Sequence, residues 1–318
     1  MRVDFAVAIA LLGAACSRAE RAPAPAADVA ASSQPSATAA PPPAAPPPSV
    51  SAPAAAASIE VLPDQIYEPS DLKRGERRPL LVFLHGLGAS GKIAIELPGL
   101  RAFAQKRRLF VVAPDGSADS TGRRFWNAHP ACCNFENRAV DDVARLGGLI
   151  GFWTARPDVD PKRVYVIGFS NGAFMAQRLA CKLGDRIAGI VSIAGAGPDR
   201  SEACTIKAPL AVLEIHGDAD QIVRYEGGSL FGRQARHASA QETLADWGAR
   251  LDCQGQPGLG PKLDLSRKLA GDETQTSHFT ACKQGSAALW TIAGGSHYIG
   301  SDPALVEQAW LFLEGTHK

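Results

Sequence analysis

Gly168-Phe169-Ser170-Asn171-Gly172 has the form G-x-S-x-G. A serine on a sharp turn flanked by glycines suits attack on a carbonyl carbon. The bend exposes the oxygen, and the glycines relieve crowding that side chains would cause. A hydroxyl is a weak nucleophile until a base takes its proton, and an imidazole oriented by a carboxylate can be that base. Downstream of Ser170, the apolar run 210–215 ends in His216-Gly217-Asp218-Ala219-Asp220. Position alone leaves both Asp218 and Asp220 open as the acid. The last apolar run leads through Gly294-Gly295-Ser296 into His297, on a loop able to swing over Ser170. His278 follows no apolar run and His317 is terminal. His85 and His216 are expected to pack at strand ends, with their rings satisfied locally. The expected triad, Ser170, then an Asp, then His297, follows the chain order of this chemistry on a doubly wound sheet.

Acyl transfer develops an oxyanion, which needs preorganised N–H donors. The N–H of Asn171, just after the nucleophile, is one expected donor. The other is assigned to Leu87, in His85-Gly86-Leu87-Gly88. The competing reading of that segment is a tight turn that needs glycines.

These residues require a scaffold. Short apolar runs at 80–84, 109–113, 164–168, 187–194, 210–215 and 289–292 suggest strands buried on both faces. Helical spacing falls at 139–153, 171–183, 238–250 and 304–314, with Ser301-Asp302-Pro303 as a helix start. The alternation predicts a mostly parallel, doubly wound α/β sheet with helices on both faces. Ligands bind such sheets beyond the carboxyl ends of the strands, where the residues above fall.

The 318 residues are 46% hydrophobic and 20% charged, with a formal net charge of +1. That is the balance of a globular protein, without the basic excess that nucleic acid would require. The start differs. Arg2, the apolar run 5–12 and small residues up to Cys16 read as a signal peptide over 1–16. Gly-Ala-Ala before Cys16 resembles a bacterial lipoprotein signal, in which the cysteine is lipidated. An ordinary cleaved signal is the alternative. Residues 17–58 are rich in Ala, Pro and Ser and read as a disordered linker to a catalytic domain over 59–318. The expectation is an exported protein, periplasmic or extracellular, tethered to a membrane through Cys16. No cofactor or metal is expected, because no cysteine pair has zinc-like spacing with a histidine partner.

Several segments together resemble the polyhydroxybutyrate depolymerase and feruloyl esterase group, near carbohydrate esterase family 1, of the α/β-hydrolase superfamily. They include LHGLGASG (84–91), FWNA (125–128), VDDV (140–143), VYVIGFSNGAFMAQRLAC (164–181), IHGDAD (215–220) and GGSHYIG (294–300). The resemblance implies an α/β-hydrolase fold and an exported serine esterase acting on feruloyl or acetyl esters of polysaccharide, or on hydroxyalkanoate oligomers. It also implies Asp220 as the acid, the last residue of H-G-x-x-D. It favours disulfides Cys181–Cys204 and Cys253–Cys282; the adjacent Cys132 and Cys133 are read as a vicinal bridge. Trp126, beside that bridge, is expected either to line the acyl pocket or to lie in the core. The group carries a Trp shortly after the catalytic His, whereas here Tyr298 follows His297. That departure falls on the substrate subsite, to which Tyr298 is assigned. A catalytically silent lipoprotein of this fold and a serine peptidase remain as alternatives.

Overall fold

A computed structural model describes residues 59–204, 206–299 and 303–318. The expected leader, Cys16, the linker and the Ser301-Asp302 helix start lie outside them.

All six apolar runs lie in strands of one nine-stranded sheet. In chain order these are β1 (Ile66–Tyr67), β2 (Arg78–Leu84), β3 (Phe110–Val112), β4 (Val159–Phe169), β5 (Gly189–Ile193), β6 (Leu210–Gly217), β7 (Gly258–Leu263), β8 (Thr274–His278) and β9 (Gly285–Ile292). Their spatial order is β1-β3-β2-β4-β5-β6-β9-β8-β7. The pairs from β3 to β9 are parallel; β1, β8 and β7 pair antiparallel at the edges.

The helices are α1 (Gly91–Ile95), α2 (Leu100–Arg107), α3 (Asp142–Thr154), α4 (Asn171–Lys182), α5 (Ala240–Arg250) and α6 (Pro303–Leu313). Successive strand residues face opposite sides, so a run apolar at every position needs cover on both. Along β2, Leu80, Val82 and Leu84 join one core with Leu146 of α3, Phe174 of α4 and Trp247 of α5. Leu81 and Phe83 join the other, with Ile95 of α1, Phe103 of α2 and Trp310 of α6. This is the expected α/β-hydrolase architecture.

Strands β7 and β8 have no apolar run to mark them. GLGPKL and TQTSH form an antiparallel hairpin on the edge of β9, where part of the surface faces water. Pro261 is tolerated because β7 is the outermost strand. Helices α1 and α2 are too short for a periodic pattern to stand out. Helix α5 starts two residues later than expected, where Ser239 and Glu242 form a capping box. The structure holds the disulfides Cys181–Cys204, Cys253–Cys282 and Cys132–Cys133.

Candidate active site

Ser170 stands between the last residue of β4 and the first of α4. Its backbone has φ +53° and ψ −117°, a left-handed twist uncommon for a residue with a side chain. The flanking glycines make it possible. A Cβ on Gly168 would lie 2.1 Å from the carbonyl oxygen of Gly172, and one on Gly172 would lie 2.2 Å from that of Leu84. The Ser170 N–H donates to Ile193 O of β5 at 2.9 Å, which fastens the turn to the sheet.

Two strand ends bring the partners. His297 Nε2 is 2.9 Å from Ser170 Oγ, and His297 Nδ1 is 2.7 Å from Asp220 Oδ2. These contacts span 127 and 77 residues of chain. Oδ1 of Asp220 accepts from the N–H groups of Ile222 and Val223 at 2.8 and 2.9 Å. Burial alone would raise the pKa of this carboxyl, but hydrogen bonds from His216 and His297 hold it well below the usual range. Asp218 is exposed, and its Oδ1 accepts from Gly294 N at 2.7 Å. It holds the loop that carries His297, while Asp220 holds the ring.

The other histidines separate by their partners. Gly116 N–H donates to His85 Nε2 at 3.0 Å, so the proton sits on Nδ1, which donates to Gly86 O at 2.8 Å. Burial lowers the pKa of this ring, in keeping with a neutral structural histidine. His216 is also buried at a strand end, but its partners include two carboxylates. His278 lies on β8 beside Gly260 of β7, at the sheet edge.

Trp126 corrects the pocket reading. Its side chain has no exposed surface, so no ligand touches it in this conformation. Its indole N–H donates to His85 O at 3.0 Å. Its backbone N–H and carbonyl pair with the side-chain amide of Asn171. Asn127 N–H donates to the buried carboxylate of Asp142 at 2.8 Å. The FWNA and VDDV segments therefore brace the elbow from below. Tyr298, by contrast, is 67% exposed and stands beside His297, with ring centroids 5.4 Å apart.

The loop after β2 lies against Ser170: a Cβ on Gly86 would be 3.4 Å from Ser170 Cβ. Leu87 follows in that loop. The N–H of Asn171, as the first residue of α4, has no intrahelical acceptor. Two cavities meet at Tyr298. One, of about 210 Å³, is almost wholly apolar and is lined by Phe83, Gly86, Ile93, Leu97 and Phe169. The other, of about 320 Å³, is lined by Ser266, Arg267, Lys268 and the 294–296 loop.

Residues behind Asp220 escaped the sequence reading. Glu214, Gln177 and Trp247 are buried and form a hydrogen-bonded chain that reaches His216. The signal for Glu214 was present, since it is the one charged residue in the run 210–215. Gln177 and Trp247 sit on two different helices, and nothing in the sequence joins them.

Residues 71–246 match the family model described as Phospholipase/Carboxylesterase, a stretch that includes Ser170 and Asp220. A protein of Nocardia uniformis subsp. tsuyamanensis named as an esterase, NocK, is 32% identical over 71% of this chain and 66% of its own length. Feruloyl esterase B of Piromyces equi is 27% identical over 77% of this chain and 44% of its own. The chain thus spans about two thirds of the first and less than half of the second. Among solved structures, an acetyl xylan esterase from Aspergillus awamori superposes with a TM-score of 0.55 at 14% identity, covering 77% of this chain and 92% of that one, a likeness of fold. The chain belongs to the phospholipase/carboxylesterase family and has the α/β-hydrolase fold.

Proposed function

We propose that this esterase is a serine hydrolase that cleaves carboxylic esters through an acyl-enzyme. The observation that carries the reading is the chain of two contacts, 2.9 Å from Ser170 Oγ to His297 Nε2 and 2.7 Å from His297 Nδ1 to Asp220 Oδ2. Ser170 Oγ attacks the ester carbonyl while His297 Nε2 takes its proton. Asp220 holds the Nδ1–H tautomer and offsets the charge of the imidazolium. The N–H groups of Asn171 and Leu87 receive the oxyanion. His297 then protonates the leaving alcohol, and water repeats the sequence to free the acid.

The apolar cavity between Gly86 and Tyr298 takes the apolar part of the ester, and Tyr298 forms its wall. Feruloyl or acetyl esters of polysaccharide and hydroxyalkanoate oligomers are the proposed substrates, in line with similar proteins named as a feruloyl esterase, a bifunctional acetylxylan esterase/xylanase and a poly(3-hydroxyalkanoate) depolymerase. Export with a lipid anchor at Cys16 completes the reading. Replacing Cys16 with Ser should release the protein from membranes.

The direct test is a fluorophosphonate probe followed by an ester panel. The probe should label Ser170, and Ser170→Ala should lose label and about 10⁵–10⁶-fold in kcat while staying folded. Methyl ferulate, para-nitrophenyl acetate and hydroxybutyrate oligomers, set beside the matching amides, identify the acyl group. Full turnover by Ser170→Ala sinks the mechanism, and faster turnover of the amides makes the protein a peptidase.

A further inference from the structure

The polar chain does not end at Asp220. Behind it, His216 is 99% buried, with Glu214 on one side and Asp220 on the other. His216 Nε2 is 2.7 Å from Val223 O and 3.4 Å from Asp220 Oδ2. A carbonyl oxygen only accepts, so Nε2 carries a proton. His216 Nδ1 is 3.2 Å from Glu214 Oε1. The other oxygen, Oε2, accepts from Gln177 Nε2 at 2.9 Å. The orientation of that amide is settled by Trp247, whose indole N–H can only donate and does so to Gln177 Oε1. Each ring nitrogen of His216 thus faces oxygen acceptors, the arrangement of an imidazolium.

We propose that His216 is a positioning residue: a buried imidazolium, clamped by Glu214, that meets Asp220 at the same Oδ2 that holds His297 and sets the charge felt by the catalytic base. The proposal rests on the triad reading above. Burial opposes a charge on His216, but hydrogen bonds to Asp220 and Glu214 overcome it and push the pKa up to about 9. Tyr225 packs edge-on to the ring, 5.8 Å between centroids, and its hydroxyl meets Thr291 Oγ1. His237 is close by and is held below its usual pKa by burial and by the charge on His216. The titratable groups around His216 are therefore Glu214, Asp220, Tyr225, His237 and, through Asp220, His297.

Charge bookkeeping sets the direction of the effect. With His216 protonated, the two carboxylates and one cation leave one net negative charge beside His297. Removing the cation leaves two. The protonated form of the base then gains stability, and the base is freed of its proton only at higher pH.

The experiment is kcat/KM against pH on an activated ester, normalised by active-site titration. It compares wild type, His216→Gln, Glu214→Gln and the double variant. His216→Gln should move the acid limb upward by about one pH unit. Glu214→Gln should move it the other way or leave it, and the double variant should return it towards wild type. A merely structural role would lower the plateau without an upward shift that the double variant reverses. An acid limb unmoved in active His216→Gln overturns the proposal. Should that variant fail to fold, ¹⁵N spectra of folded wild type and His297→Ala decide. Both should show one imidazole protonated on both nitrogens at pH 8, and neutrality of every imidazole there overturns the claim. If Ser170→Ala keeps its turnover, the triad itself has failed. If it loses turnover while the His216 profile stays put, only the positioning role has.

Discussion

The two halves of the candidate site are built differently. The serine half is local. Within the five residues from Gly168 to Gly172, a strand ends, a strained turn follows and a helix begins. The histidine half is assembled from afar. Asp220 follows β6, His297 follows β9, and the two strands run side by side in register from Gly285↔Leu210 to Ile292↔Gly217. Past the strand ends the loops knit together: Ala219 N–H donates to Gly295 O at 3.0 Å, Asp218 N–H to Ile292 O at 3.1 Å, and Asp218 Oδ1 receives Gly294 N–H. The serine is held by backbone sterics that no neighbour can relax. The imidazole is held by hydrogen bonds that can be removed one by one. Damage to the first half should be all-or-none, and damage to the second graded.

The largest effect should come from Gly172→Val. The added Cβ meets backbone at 2.2 Å, so no rotamer relieves the clash. We expect loss of the folded elbow, seen as insoluble protein or as turnover below detection. A folded, active Gly172→Val would show that the serine half also bends. Asp220→Asn comes next. The amide cannot stabilise the imidazolium, and kcat should fall by about 10⁴-fold with the fold retained. Asp218→Ala is milder. It frees Gly294 N–H at an exposed position, so kcat/KM should drop by roughly tenfold or less, in keeping with the ~1 kcal/mol of a surface hydrogen bond. If Asp218→Ala instead matches Asp220→Asn, the loops do not act separately and the graded picture fails.

A final effect falls on stability at alkaline pH. His216 is raised to about 9 in the folded protein, above its ordinary value of about 6.5. A raised cationic group contributes fully below the unfolded value, and its contribution is lost as pH climbs through the folded one. The melting temperature should therefore decline between about pH 7 and pH 10, and this part of the decline should be missing from His216→Gln. Parallel melting curves for the two proteins would show His216 to be neutral when folded.

Much of this was legible in the chain. Apolar runs closed by Gly or Pro marked the buried strands, because a strand covered on both faces is apolar at nearly every position. The elbow was legible for the same kind of reason: its constraint is steric and local, so five adjacent residues carry it. What the chain could not decide by position was the choice between Asp218 and Asp220, two residues apart on one loop. The family motif favoured Asp220, but only the register of β6 with β9 turns Asp220 towards the imidazole and Asp218 towards Gly294. Trp126 is a second case. An aromatic residue beside a cysteine pair reads equally as pocket or core, and burial against His85 and Asn171 decides for core. The edge hairpin of β7 and β8 was hidden because a sheet edge partly open to water does not need apolar residues. The chain from Trp247 through Gln177 and Glu214 to His216 was hidden because its members lie on α5, α4 and β6. Hydrogen bonds between elements leave no periodicity in a sequence; they exist only once the layers pack.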